Sequence, residues 1–170
     1  MRFFSLGFLL FFANTLWAQH ENCSSTFFSV NGAVKRIAVF DWNSLDSFNK
    51  VKIPDITITN HKGEKKSAVT GLQGILLKDI FQKISFTIDE PKKLSELYFV
   101  FTACDGYKVV YSWNEIFNSS TGNNLFIVTD KEGIKGINIK ESILAVTTSD
   151  FTTGRRYIKG LSTITVKQAE

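Results

Sequence analysis

The run Leu97–Tyr111, reading Leu-Tyr-Phe-Val-Phe-Thr-Ala-Cys-Asp-Gly-Tyr-Lys-Val-Val-Tyr, constrains this chain more than any other stretch. Residues of the first half are mostly aromatic or β-branched, Asp105-Gly106 follows, and Tyr107 to Tyr111 resumes the same composition. Such side chains suit a pleated, half-buried surface, and an Asp-Gly pair between two such runs is a strong hairpin signal. A chain built around this hairpin needs further strands to cover it, because an isolated hairpin is marginal in water.

The remaining sequence supplies them. Thr26 to Val30 reads as a strand leading into Asn31-Gly32, and Val34 to Phe40 as the next. Asp41 or Asn43 then suits the N-cap of a brief helix carrying Leu45 and Phe48 on one side. Asp55 to Thr59 alternates with period two, and His61 to Glu64 is a polar turn that sends the chain back through Ser67 to Thr70. Gly71-Leu72-Gln73-Gly74 reads as a break, after which Leu76, Leu77, Ile80, Phe81 and Ile84 recur at helical spacing and predict an amphipathic helix. Trp113 to Phe117 suggests a short helical turn and Ser119 to Asn124 an exposed loop. Leu125 to Thr129, Ile143 to Thr147 and Tyr157 to Val166 complete the strands. The pattern predicts a single strand-dominated α+β domain with short helices.

Ahead of it, Arg2, the apolar run from Phe3 to Ala13 and Leu16-Trp17-Ala18 make residues 1–18 a secretory signal peptide. Cleavage near Ala18-Gln19 leaves a domain over residues 19–170, secreted or periplasmic and with no membrane span, since the apolar run is too short to cross a bilayer. The formal charge of +4 falls to about +3 with Arg2 removed. Its lysines lie on turn-like segments with few aromatic residues between them, which argues against nucleic acid as a partner.

Cys23 and Cys104 are the two cysteines. They suit a disulfide that closes a loop of about eighty residues and contributes about 4 kcal/mol. Equally open are a mobile tail carrying Cys23 and a small buried hydrophobe at Cys104. His20 and His61 do not stand at metal-ligand spacing with them. The scarcity of histidine also argues against a Ser/His/Asp triad, and there is no phosphate-cradling glycine motif. Asn22-Cys23-Ser24 and Asn118-Ser119-Ser120 fit the N-glycosylation pattern.

Taken in order, five short segments resemble the oxidoreductase molybdopterin-binding domain of the sulfite oxidase fold. Val30-Asn31-Gly32-Ala33-Val34 is similar to its opening "xGxV" strand, and Thr70 to Ile80 to its "GVPLxDLL" strand-to-helix turn, with Gln73-Gly74 in place of the usual residues. Cys104-Asp105-Gly106-Tyr107 resembles its "DGY" hairpin, Ile143 to Val146 its "LRLVVP" strand, and Gly154 to Lys159 its "GxRxVK" close. The resemblance spans the mature chain and implies a mixed-sheet or barrel-like domain.

It also implies a cofactor, molybdopterin or a related pterin. In the family's enzymes one cysteine thiolate completes the molybdenum centre, from the strand that here reads Ile56-Thr57-Ile58-Thr59-Asn60 and holds no cysteine. Metal ligation would then fall to Cys104. Arg156 and Lys159 occupy positions whose family counterparts help hold the cofactor's phosphate end, and a guanidinium beside an ammonium suits that charge. On a strand the two would face opposite ways, so meeting one ligand needs a loop or bulge; otherwise they are surface cations beside an edge strand. Arg155 reads as the solvated member. Asp105 and Tyr107 are first of all hairpin residues, and they join Arg156 and Lys159 as the candidate cofactor-binding set, with no catalytic residue assigned.

The expected function is a binding module for a pterin-like or anionic small molecule, without molybdenum catalysis. The alternatives are a molybdopterin-dependent oxidoreductase using Cys104, and a protein-interaction domain without a small ligand. No protein partner is legible.

Overall fold

The computed structural model describes residues 23–170, so the signal-peptide segment, His20 and Asn22 lie outside the described residues. In chain order the elements are β1 (Phe27–Gly32), β2 (Ala38–Asp41), α1 (Trp42–Leu45), β3 (Val51–Ile53), β4 (Ile56–Thr59), β5 (Lys65–Val69), β6 (Leu72–Leu76) and α2 (Leu77–Phe81). They continue as β7 (Leu97–Ala103), β8 (Lys108–Ser112), α3 (Trp113–Phe117), β9 (Leu125–Lys131), β10 (Ile134–Lys135), β11 (Leu144–Thr147) and β12 (Leu161–Gln168). Strands dominate and the helices are short, as the α+β reading expects.

The Leu97–Tyr111 hairpin forms as β7 and β8, with Phe101 opposite Val109 and Thr102 opposite Lys108. Its alternation is complete: Leu97, Phe99, Phe101 and Ala103 are buried, and the residues between them are not. The hairpin ends an outer sheet ordered β2-β1-β12-β7-β8, antiparallel except where β1 and β12 run parallel. A middle sheet runs β10-β9-β6-β3, with β11 also on β9, and β4-β5 is a separate hairpin. Both larger sheets are open paths with β2 and β8 as edges of the first, so the barrel-like expectation gives way to layers.

The reason lies in β9. Leu125 and Ile127 join the core beneath the outer sheet, with Phe28, Phe99, Phe101, Tyr111 and Ile164. Phe126 and Val128 join a second core with Ile53, Ile56, Val69 and Leu144. An apolar run buried on both faces needs a cover on each side, which the outer sheet and the β4-β5 hairpin provide. Each fully buried large side chain contributes roughly 1.5–3 kcal/mol.

The helical expectation holds only in part. Of the predicted helix only Leu77–Phe81 is α-helical; the expected break falls at Thr70–Gly71 between β5 and β6, and Leu72 to Gly74 already belong to β6. Leu72 and Ile75 are buried in different cores. Leu77, Ile80, Phe81 and Ile84 do share the main core, but the α-helix ends at Phe81, and Lys83 and Ile84 follow in a turn, donating to the Ile80 and Phe81 carbonyls. Gly74 sits where an added Cβ would strike the Ile127 backbone and the Ile53 side chain, so glycine lets β6 approach β9. The predicted Val34–Phe40 strand shortens to β2, while Val34 forms an isolated bridge with Phe86. Asp41 does cap α1, accepting from the Ser44 N–H at 2.8 Å. No helix among the described residues is long and apolar enough to cross a membrane.

Candidate functional site: two clefts on either side of one turn

The segment Gly154 to Lys159 is not a strand. Thr153–Arg156 is a 3-10 turn and β12 begins only at Leu161. Gly154 lies against the Thr59 carbonyl, where a Cβ would not fit. Thr153 donates its hydroxyl to the Thr57 carbonyl and accepts the Thr59 N–H at 3.3 Å, tying the turn to β4. After the turn, Ile158 exchanges two backbone hydrogen bonds with Ala145, both 2.9 Å. The irregular segment between these anchors sends Arg156 and Lys159 into different clefts.

Arg156 enters a cluster of carboxylates. Its Nε donates to Asp150 Oδ2 at 2.7 Å, Nη2 donates to Asp150 Oδ1, and Nη1 donates to Glu115 Oε1 at 2.8 Å. The guanidinium carbon lies 4.5 Å from the centre of the Tyr111 ring, close enough for a cation–π contact. Glu115 is put in place by a capping box, accepting from the Ser112 N–H at 2.8 Å while its own N–H donates to Ser112 Oγ at 3.1 Å. Beneath the cluster, the Tyr111 and Thr147 hydroxyls are hydrogen-bonded at 2.7 Å.

The electrostatics follow from these contacts. The Asp150 hydrogen bond raises the guanidinium's proton affinity against the opposing effect of burial. Burial pushes the Glu115 carboxyl up, but hydrogen bonds from Ser112 and Arg156 outweigh it and hold the group below its ordinary value. Burial likewise pushes the Tyr111 phenol far up, leaving it neutral. With one guanidinium between two carboxylates, the group already carries more negative charge than positive. Arg156 is therefore committed internally rather than presented to an anion. It lines a cleft of about 570 Å³ with Ser120, Asp150, Phe151 and Arg155, and Phe151 is fully exposed at its rim. Arg155 is exposed, as expected, and its Nη2 reaches the His61 carbonyl at 3.4 Å.

On the other side of the turn, Asp105, Tyr107 and Lys159 share a cleft of about 280 Å³ with Gly154 and Tyr157. Asp105 Oδ1 accepts the Tyr107 N–H at 2.9 Å, which closes the hairpin turn. The Tyr107 hydroxyl donates to the Arg155 carbonyl at 2.5 Å and so pins the hairpin to the 3-10 turn. Lys159 Nζ lies 5.7 Å from the centre of the Tyr157 ring. Burial, and then Glu141, push the Tyr157 phenol well above its usual range. The candidate set is thus divided: three members converge and Arg156 stands apart. Sequence reasoning missed Tyr157, Asp150 and Glu115 as site residues. The Ser112-x-x-Glu115 capping pattern was the one local signal that could have located Glu115.

Cys104 is bonded to Cys23, with Cα atoms 5.6 Å apart. Of the three readings open to these cysteines, the structure takes the disulfide. Gly160, at φ +62°, passes so close to Cys104 Sγ that a side chain there would collide with it. Ser24 Oγ hydrogen-bonds Ser142 Oγ at 2.9 Å and anchors the segment beyond Cys23. This bears on Cys104 as a metal ligand, because a soft metal takes a thiolate and a disulfide sulfur is not one. Both cysteines of the chain are consumed. The residues present therefore do not fit a molybdenum–pterin centre: they offer no thiolate, and the guanidinium expected at the phosphate end is already paired with two carboxylates. No group of three or more metal-ligating side chains gathers among the described residues.

No protein-family model and no curated protein matches the sequence. Among solved structures, the chain is similar to the sulfane dehydrogenase SoxCD from Paracoccus pantotrophus. The TM-score is 0.58 at 10% sequence identity, over 82% of this chain and 37% of that one. The chain thus spans little more than a third of that protein's length, and what the two share is a related fold.

Proposed function

We propose that this chain is an extracytoplasmic, non-catalytic binding module on a sulfite-oxidase-type scaffold, and that it holds a planar, anionic, pterin-like small molecule. The observation that carries this reading is the convergence of Asp105, Tyr107, Tyr157 and Lys159 on one cleft. Two aromatic side chains give a ring system apolar faces to lie against. Lys159 supplies a charge for a carboxylate or phosphate, and Asp105 has an oxygen left to accept a ring N–H. At about 280 Å³ the cleft lies near the small end of ligand pockets, which suits a single fused ring rather than a dinucleotide. Extracytoplasmic placement is supported by the disulfide together with the signal-like residues 1–18. The scaffold is supported by the ordered motifs and the likeness to SoxCD.

Titration with pterin-6-carboxylate, followed by its fluorescence, tests the reading. Saturable binding that weakens about tenfold in both Lys159→Ala and Tyr107→Ala is expected, about 1.4 kcal/mol for each contact. Absence of saturation, or binding by both variants as tight as by the parent chain, overturns it. The exposed Phe151 favours a second reading, a protein-interaction domain without a small ligand. Failure of the pterin titration together with loss of a partner on Phe151→Ser would support that one.

A further inference from the structure

A separate cleft gathers positive charge that has not been neutralised. The loop after β1 and the segment after α2 are locked together by the Val34–Phe86 bridge, with Lys35 N–H donating to the Ser85 carbonyl at 2.7 Å and Thr87 N–H to the Ala33 carbonyl at 3.0 Å. Val34 and Ile84 anchor the two segments in the main core, and Phe86 packs edge-on against Phe99. On this fixed backbone, Lys35, Arg36 and Lys83 line a cleft of about 560 Å³ with Ile37, Ile84 and Ser85. Lys35 has one carboxylate within reach, Asp89 at 3.8 Å, and both side chains are more than half exposed. Such a pair is weak and readily displaced. Arg36 and Lys83 form no ion pair and no side-chain hydrogen bond among the described residues.

We infer that this cleft binds a small molecule carrying a phosphate or sulfate group on an apolar body. The guanidinium of Arg36 can grip two oxygens of a tetrahedral oxyanion at once, and the ammonium groups of Lys35 and Lys83 add point charges beside it. A bare oxyanion would leave most of the cleft unfilled, since its volume falls in the ordinary range for organic ligands. The rest of the lining suits an apolar remainder: Ile84 at the floor and Ile37, 71% exposed, at the rim. A ligand lying against Ile37 would remove that surface from water, which free phosphate cannot do. None of these residues belongs to the Asp105–Lys159 cleft, so the inference stands or falls independently of the function proposed above.

The test is a backbone-amide NMR titration of the disulfide-bonded protein with phenyl phosphate, with inorganic phosphate in parallel. Shifts centred on residues 35–38 and 83–85 are expected. Phenyl phosphate should bind at least about threefold more tightly than inorganic phosphate, because its ring is buried against Ile37. An Arg36→Ala, Lys83→Ala double variant should weaken it about tenfold or more while leaving the urea denaturation midpoint unchanged. An Arg36→Lys, Lys83→Arg swap, which keeps the charge, should retain most of the affinity and shows that loss in the double variant is not misfolding. Shifts centred elsewhere, or equal affinity in the double variant, overturn the inference. A flotation arm with phosphatidylglycerol vesicles separates the remaining source of phosphate. Vesicle binding that depends on Arg36 and Lys83, with those amides unmoved by phenyl phosphate, would assign the face to a membrane surface and also overturn it.

Discussion

Arg156 and the Lys35–Arg36–Lys83 group make an instructive pair. The sequence draws attention to the first, where Arg155, Arg156 and Lys159 stand within five residues, and passes over the second, whose members are separated by almost fifty. The fold reverses their standing. Arg156, with its side chain 21% exposed, is surrounded by Asp150, Glu115 and the Tyr111 ring. Arg36 and Lys83 keep their charge available. A cation's worth as a ligand group is set by which carboxylates the fold brings to it, and Glu115 arrives from 41 positions away.

The sharpest way to break this contrast is Arg156→Ala. It strands two carboxylates in a partly buried site, and a loss of about 3 kcal/mol is expected in urea denaturation. A loss below about 0.5 kcal/mol would mean that Arg156 is a surface cation after all, free for an anion. Next, Tyr111→Phe removes the partner of the Thr147 hydroxyl, whose residue is 1% exposed. That should cost about 1–2 kcal/mol by the same measurement.

Acid should act on one cluster and not on the other. Because the folded state holds Glu115 below its ordinary value of 4.5, the carboxylate stabilises the fold above that pH. The contribution is lost as pH falls from about 4.5 through the lower folded value. Denaturation midpoints from pH 7 to pH 3 should therefore fall less steeply in Glu115→Gln than in the parent chain; equal slopes would contradict the pairing. The smallest effect belongs to the open cleft, where Arg36→Ala with Lys83→Ala should change stability by less than about 0.5 kcal/mol. A larger loss would mean that these cations are already used within the fold.

What was legible in the sequence was local. The hairpin at Asp105-Gly106, the cap at Asp41 and the strand character of Leu125 to Thr129 depend on neighbours in the chain, and each appears where it was expected. The helix predicted from Leu76 to Ile84 shrinks to Leu77–Phe81 because Leu76 is claimed by β6 and the chain leaves the helix through a turn after Phe81. The candidate site was half legible. Asp105, Tyr107 and Lys159 meet because the hairpin turn docks on the 3-10 turn through the Tyr107 hydroxyl. The separation of Arg156 from Lys159 depends on Gly154 packing against Thr59, and the Cys23–Cys104 bond on where the N-terminal segment is anchored. The Val34–Phe86 bridge that creates the basic cleft is likewise a tertiary event with no local signature.

Cys104, held in a disulfide with Cys23, is not a thiolate and so does not serve as a metal ligand. The direct measurement is a free-thiol titration under denaturing, non-reducing conditions, paired with elemental analysis, on the full chain isolated from a host that makes the molybdenum–pterin cofactor. The expected result is no titratable thiol and molybdenum far below one equivalent. A titratable thiol with molybdenum near one equivalent, both lost in Cys104→Ala, would contradict it.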